Sequence, residues 1–173
     1  MMTHQLKNDS STNDSSTKRL INLKMTHQYT YKYPHPAVAA DCLVFGHCQD
    51  GTTRLLLIER GNEPCRGQWA FPGGFMNIDE TADDAARREL KEETGLTVAA
   101  LHPIGAFTAV DRDPRERVLS IAFWADVEGT PEAVGADDAR RARWFPLTGL
   151  PRLAFDHAEI LRRALYLKGK GVE

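Results

Sequence analysis

The stretch GFMNIDETADDAARRELKEETGL, residues 74–96, decides the fold of this chain. Its middle part, residues 81–94, is predicted to form one helix, because Thr81 can cap the first turn and Gly95 can end the last. Apolar side chains recur along this helix at four-residue spacing, at Ala82, Ala86 and Leu90. They form one stripe, which gives the helix a face to bury against a core.

A neighbouring stripe of the same helix carries three carboxylates, Glu89, Glu92 and Glu93. Like charges at this spacing repel by about 0.2–0.5 kcal/mol per pair, so the cluster does not serve helix stability. A cation would reverse the sign, and Mg²⁺ or Mn²⁺ prefers carboxylate and phosphate oxygens. Arg88 is within reach of one carboxylate and can hold it in place. Taken alone, such a charged helix is more often a solvated face of mixed charge, and it is the residues on both sides of this helix that favour metal-dependent phosphate chemistry.

The residues on both sides of the helix complete a longer motif. The sequence Phe-Pro-Gly-Gly at 71–74 precedes the helix and Gly-Leu follows it at 95–96. The whole stretch resembles the Nudix box, the signature of Nudix hydrolases, with every defined position filled. These positions are Gly74, Glu80, Arg88-Glu89-Leu90, Glu92-Glu93 and Gly95-Leu96.

The resemblance implies a loop–helix–loop that binds divalent metal and hydrolyses a nucleoside diphosphate linked to another moiety. Carried over by position, the resemblance implies that Glu89 and Glu93 are the main metal ligands and that Glu92 is a third ligand or holds a metal-bound water. It implies that Arg88 orients Glu80. The backbone carbonyl of Gly73 or Gly74 would be a further metal ligand. The implied cofactor is Mg²⁺, with Mn²⁺ as the alternative.

In the implied reaction the metal polarises a pyrophosphate and lowers the pKa of a bound water, which attacks phosphorus. A general base must take the proton of that water. The motif does not choose among the candidates, which are Glu92, Asp137 and Asp138, with Glu116 behind them.

A second, less specific motif lies after the box. The segment 111–117, DRDPRER, resembles one found in ADP-ribose pyrophosphatases and in related ADP-ribose-sensing Nudix regulators. The resemblance implies that Arg112 and Arg115 bind the pyrophosphate or the terminal ribose, since a guanidinium offers paired donors to phosphate oxygens. A solvated charged turn is the alternative. The segment 154–157 also resembles the corresponding segment of these relatives. His157 either faces the pocket or has a structural role in the first turn of a helix, and the structural role is favoured.

Composition places the chain among single globular domains. It has 173 residues, 42% of them hydrophobic and 27% charged, which is enough for one core. A net charge of −2 lacks the footprint of a nucleic-acid binder, so no nucleic-acid partner is expected. No apolar run is long enough for a membrane span or a secretory signal. We therefore expect a cytoplasmic protein whose partner is a small nucleotide.

The first 28 residues differ from the rest. They are rich in Ser, Thr, Asn and Asp and predict a disordered tail. Met25-Thr-His-Gln repeats Met2-Thr-His-Gln, which suggests that translation begins at Met25. Next, Tyr29, Tyr31 and Tyr33 alternate; they predict an edge strand or the arm of a homodimer, or else tyrosines that cover the domain.

The remaining pattern predicts a strand-rich domain closed by a helix. Predicted strands lie at 38–45, 54–60 and 69–71 before the box, and at 98–110 (one or two strands broken at Pro103 and Gly105), 118–127 and 141–145 after it; the closing helix lies at 156–167. The run Leu55-Leu-Leu-Ile58 suits a strand buried on both faces. This order agrees with the fold that the resemblance implies, an α/β Nudix sandwich with a mixed β-sheet between helices over residues 35–168.

Three functions remain open. The first is hydrolysis of ADP-ribose to AMP and ribose 5-phosphate. The second is hydrolysis of another nucleotide, such as an oxidised or pteridine nucleoside triphosphate. The third is a non-catalytic ADP-ribose sensor that controls transcription, which the intact carboxylates of the box disfavour.

Overall fold

The computed structural model describes residues 29–135 and 139–170. Residues 29–34 fall in a unit of their own, where they form neither helix nor strand. The edge strand predicted for the three tyrosines is therefore absent from these residues, and the rings are exposed. The predictions of a disordered tail at 1–28 and of a start at Met25 lie outside the described residues.

The second unit begins at His35 and contains all the described helices and strands. Its seven strands are β1 (Ala37–His47), β2 (Thr53–Arg60), β3 (Trp69–Ala70), β4 (Gly73–Phe75), β5 (His102–Phe107), β6 (Val118–Glu128) and β7 (Ala139–Pro146). They form one sheet in the order β3-β2-β1-β6-β5, with β4 paired to β1 and β7 paired to β2. β1 and β6 run parallel and the other pairs are antiparallel. The predicted α/β fold with a mixed sheet is confirmed.

Helices α1 (Ala82–Thr94) and α2 (His157–Lys170), together with a short 3-10 helix (Leu147–Gly149), complete the described elements. Thr81 caps α1, as predicted, because its hydroxyl accepts the N–H of Asp84 at 3.2 Å. Gly95 ends α1 in the left-handed conformation, with φ 74°. Over residues 29–135 and 139–170, no helix combines the length and the apolar character needed to cross a membrane.

The two helices cover opposite faces of the sheet. Side chains of a strand alternate between faces, so a strand covered on both sides is apolar throughout. On one face Leu43, Phe45, Leu55 and Leu57 pack with Ile160, Leu161 and Ala164 of α2. On the other face Cys42, Val44 and Leu56 pack with Ala85, Ala86 and Leu90 of α1. The prediction that residues 55–58 form a strand buried on both faces is confirmed.

The prediction for residues 98–110 is wrong in its extent and in its breaks. Pro103 and Gly105 were expected to break the strand, but both lie inside β5, which spans only His102–Phe107. β5 is at the end of the strand order, where a proline without an N–H is tolerated. The register with β6 shifts between Pro103 and Gly105, so an irregularity in the pairing accommodates both residues.

Candidate active site

The backbone of β4 passes directly beside α1, and two glycines allow it. A Cβ added at Gly74 would lie 2.5 Å from Oε1 of Glu89. A Cβ added at Gly73 would lie 2.5 Å from the carbonyl oxygen of Ala40 in β1. Because both distances are too short for a real contact, Gly74 lets β4 lie beside the Glu89 carboxylate of α1, and Gly73 lets it lie against β1.

Arg88 connects the carboxylates of the motif. Its Nε and Nη2 donate to the two oxygens of Glu80, at 3.0 and 2.6 Å. Its Nη1 donates to Glu89 at 2.7 Å and to Glu92 at 2.9 Å. The predicted contact between Arg88 and these carboxylates is therefore confirmed. The Arg88 guanidinium lowers the pKa of Glu80 to about 2.

Glu93 is buried, and its Oε2 accepts a hydrogen bond from the backbone N–H of Gly73 at 2.9 Å. Burial raises the pKa of Glu93 to about 8, and the neighbouring charges of Glu89 and Asp41 act in the same direction, while the Gly73 hydrogen bond opposes them. Burial also raises the pKa of Glu89. Arg88 lowers the pKa of Glu89 and Arg60 lowers that of Glu93, but burial outweighs both, and a bound cation would favour the charged form of each carboxylate.

No three His, Cys, Asp or Glu side chains within residues 29–135 and 139–170 are placed to hold a metal ion by themselves. The donor set nevertheless fits a divalent cation, because Glu89, Glu92 and Glu93 bring hard oxygen ligands to one pocket. Mg²⁺ needs only one or two protein carboxylates and takes its other oxygens from water and substrate phosphates. A complete protein cage is not required for such an ion.

The site is a pocket of about 380 Å³, which is in the range typical of small-ligand sites. Seven of the eight residues predicted for the site line it: Gly73, Arg88, Glu89, Glu92, Glu93, Arg112 and Arg115. The eighth, Glu80, does not line the pocket and is joined to it through Arg88. The loop–helix and the later charged segment, far apart in sequence, thus meet at one place.

The two predicted substrate arginines are held in different ways. Arg112 has a side chain only 5% exposed, and its Nε and Nη2 donate to Asp156 at 2.9 and 2.7 Å. Arg115 has a side chain 42% exposed, and its Nε and Nη2 donate to Asp113 at 3.0 and 2.7 Å. The Arg115 guanidinium also lies 5.3 Å from the centre of the Phe75 ring. Arg112 thus joins its loop to the start of α2, whereas Arg115 lines the pocket with a side chain that is partly exposed to solvent.

Other lining residues were not among the predicted site residues, and they include Asp41, Arg60, Phe155 and His157. His157 both lines the pocket and begins α2, so the two places left open for it in the sequence are not exclusive. The Arg60 guanidinium lies 4.8 Å from the centre of the Phe155 ring, and its Nε donates to the carbonyl of Pro64 at 2.9 Å. Phe155 has φ 49°, an unusual conformation for a bulky residue. Asp41 had a signal in the sequence, since it is the one charged residue in the apolar run 38–45.

Known proteins with a similar sequence or fold include Nudix proteins and an ADP-ribose pyrophosphatase. The NUDIX domain family matches residues 26–164. An ADP-ribose pyrophosphatase of Methanocaldococcus jannaschii is 42% identical over 146 residues, which cover 84% of this chain and 82% of that protein. The NUDIX domain of Shewanella oneidensis NrtR, solved in complex with ADP ribose, has the same fold, with a TM-score of 0.73 and 23% identity over 88% of this chain and 98% of that one.

A third relative contains a metal ion. The bifunctional NMN adenylyltransferase/ADP ribose pyrophosphatase of Francisella tularensis, solved with AMP and a Mn ion, has a TM-score of 0.67 and 28% identity, over 87% of this chain and 45% of that one. Since the family match spans most of the chain and falls on the residues that build the pocket, the chain described here belongs to the NUDIX domain family of hydrolases.

Proposed function

We propose that this chain hydrolyses ADP-ribose to AMP and ribose 5-phosphate with the help of a divalent metal ion. One observation carries the proposal: the acidic cluster of α1 and the arginines Arg112 and Arg115 line the same pocket. Carboxylates suit a cation and guanidinium groups suit phosphate oxygens, so together they suit a pyrophosphate with its metal. The 42% identity to an ADP-ribose pyrophosphatase supports ADP-ribose as the substrate.

The reaction adds one water across the pyrophosphate. The water oxygen bonds to one phosphorus, the bond from that phosphorus to the bridging oxygen breaks, and the bridging oxygen leaves with the other phosphate. A divalent ion held by Glu89, Glu93 and the carbonyl of Gly73 would neutralise phosphate charge and acidify the attacking water. Glu92 would be either a third ligand of this ion or the group that holds the attacking water. We propose Mg²⁺ as this ion, with Mn²⁺ as a substitute that the Francisella tularensis structure supports.

The chain's own groups bind and orient the substrate and accept the proton. Arg115 and the Nη1 of Arg112 are proposed to hold the phosphates, and Arg88 keeps the helix carboxylates in fixed rotamers. Among the candidates for the general base, Glu92 lines the pocket and Glu116 does not. Asp137 and Asp138 lie outside the described residues. We therefore propose Glu92 as the proton acceptor.

The test is a panel of nucleotides assayed with Mg²⁺: ADP-ribose, other ADP-sugars, NADH, diadenosine polyphosphates and nucleoside triphosphates. The wild type is compared with Glu93→Gln and with Glu132→Gln, a control at an exposed glutamate away from the pocket. We expect selective release of AMP from ADP-ribose, a loss of about 10²-fold or more in Glu93→Gln, and no change in the control. EDTA should abolish the activity, and Mg²⁺ or Mn²⁺ should restore it.

Two other outcomes would overturn this proposal. A preference for a nucleoside triphosphate would make the chain a hydrolase of that other class. Tight binding of ADP-ribose without turnover of any compound in the panel would make it a sensor.

We also propose that the enzyme is cytoplasmic, binds a small nucleotide rather than nucleic acid, and forms a homodimer. The three cysteines are free in the described residues, which suits a reducing compartment. The net charge of −2 speaks against nucleic-acid binding. Tyr29 and Tyr33 expose more than half of their area, which suits contact with a second copy. Light scattering after size exclusion decides the assembly, since a mass near 19.3 kDa would exclude the dimer.

A further inference from the structure

His157, the first residue of α2, is a buried side chain to which the proposed reaction gives no task. Its Nδ1 accepts the backbone N–H of Phe71 at 3.1 Å. The imidazole also stacks on the Phe71 ring, with centroids 4.6 Å apart and an angle of 6° between the planes. These two contacts fix Phe71 against the start of α2.

The other ring nitrogen of His157 faces the sheet. Because Nδ1 accepts a hydrogen bond, the neutral ring carries its proton on Nε2. Burial lowers the pKa of His157 and so favours this neutral form. Nε2 lies 3.8 Å from Oδ1 of Asp41, whose other oxygen accepts the hydroxyl of Ser120. The imidazole is thus held between Phe71 and a carboxylate of β1.

Phe71 stands two residues before Gly73, whose N–H donates to Glu93 at 2.9 Å. The chain between them has little freedom, since the carbonyl of Pro72 accepts an N–H of β1 at 2.8 Å and Gly73 is paired with β1. Because only Pro72 separates Phe71 from Gly73, a displacement of Phe71 that the contacts with β1 do not absorb changes the direction of the Gly73 N–H. An error of about 1 Å in a catalytic group can cost up to 10²-fold in rate.

We propose that His157 is a positioning residue: through its hydrogen bond to Phe71 it holds residues 71–73 so that the N–H of Gly73 meets Glu93. The proposal rests on the proposed function, in which Glu93 serves catalysis. In this proposal the first turn of α2 supports the site, and the task of the imidazole is to hold Phe71 rather than to bind substrate or metal.

Three substitutions separate the contributions of Nδ1, of Nε2 and of the stacking on Phe71. His157→Asn keeps an acceptor near the position of Nδ1 and loses the group at Nε2. His157→Gln places its amide near Nε2 and loses the acceptor at Nδ1. His157→Phe keeps the stacking on Phe71 and loses both nitrogens. Ile160→Val, one turn later in α2 and fully buried, is the control for a loss of packing alone.

Each variant is assayed on the nucleotide that the wild type hydrolyses. We expect kcat to fall about tenfold or more in His157→Phe and His157→Gln, with KM within about threefold of the wild type. His157→Asn should recover most of kcat. Ile160→Val should lower the urea midpoint and leave kcat unchanged.

A second measurement needs neither metal nor substrate. Amide hydrogen exchange at Phe71 and the NMR shift of the Gly73 amide report the two hydrogen bonds directly. We expect exchange at Phe71 to become faster, and the Gly73 resonance to move, in His157→Phe and His157→Gln but not in His157→Asn. If the wild type hydrolyses no nucleotide, the proposed function fails, and these two readouts alone decide the role of His157.

Several results would overturn the proposal. One is a His157→Phe enzyme with unchanged kcat and unchanged Phe71 exchange. Another is rescue by Gln and not by Asn, which would move the task to Nε2 and Asp41. A rise in KM at constant kcat would make His157 a substrate ligand, and an equal fall in kcat in Ile160→Val would reduce its role to packing.

Discussion

The absence of a side chain at Gly74 allows the Glu89 carboxylate to lie against β4. Glu89 is at the same time held by Arg88, so this carboxylate has little room to move. The proposed metal site therefore depends on the absence of a Cβ at Gly74 as well as on the carboxylate ligands. A methyl group at this position tests that dependence.

We expect Gly74→Ala to displace the Glu89 carboxylate, because the new Cβ would lie 2.5 Å from its Oε1. A flexible side-chain end can yield, so the loss of stability should stay within about 1–2 kcal/mol, while the rate falls about tenfold or more. Titration with Mn²⁺ followed by water proton relaxation measures the expected weaker metal binding. Gly149→Ala is the control, since its Cβ would meet its nearest neighbour at 3.6 Å. Wild-type Mn²⁺ affinity in Gly74→Ala would contradict the argument.

At the scale of elements, two of the arginines in the segment between β5 and β6 have opposite environments. Arg112 is buried in a bidentate pair with Asp156, and Arg115 is exposed beside Phe75. We expect Arg112→Gln to destabilise the fold by roughly 3 kcal/mol, because it leaves Asp156 without its partner. Arg115→Gln should raise KM and cost less stability than Arg112→Gln, because the Arg115 side chain is 42% exposed and Asp113 keeps the backbone N–H of residue 115 as a donor. Urea unfolding and steady-state kinetics on both variants check this division, and equal stability losses would refute it.

Elements with local signals were predictable from the sequence. The helix at 81–94 has its cap, its stop and its apolar stripe within one stretch, and the structure reproduces it within one residue. Residues 55–58 were predicted to be buried on both faces because no polar residue interrupts them. The strand predicted at 98–110 is shorter in the structure, His102–Phe107, and it is not broken at Pro103 and Gly105, because both residues are tolerated in a strand at the end of the sheet.

The pocket was only partly predictable for a related reason. The carboxylates of α1 are neighbours in sequence, so helical spacing alone brings them together. Asp41, Arg60 and His157 reach the pocket from β1, β2 and α2, and their meeting depends on strand order and on which face of the sheet each helix covers. No periodicity within a single segment contains that information.

At the scale of the whole molecule, the pocket lies where β1, β2, β4, α1, the segment after β5 and the start of α2 come together. Arginine side chains join several of these parts: Arg88 of α1 donates to the carbonyl of Phe75 in β4, and Arg112 forms an ion pair with Asp156 at the start of α2. Site geometry and resistance to acid therefore depend on the same charged groups.

The pH dependence of the free energy of unfolding measures how much the charge of Glu80 stabilises the fold. Its pKa in the fold is about 2, below the ordinary 4.5, because Arg88 donates two hydrogen bonds to it. A carboxylate with a lowered pKa stabilises the fold fully above its unfolded-state pKa and loses that contribution as pH falls through the folded value. We expect wild type to be more stable than Glu80→Gln at pH 7, and the difference to shrink between about pH 4.5 and pH 2. Urea unfolding of both proteins at pH 7, 5, 4 and 3 measures it. A difference that stayed constant over this range would show that Glu80 contributes through shape rather than through its charge.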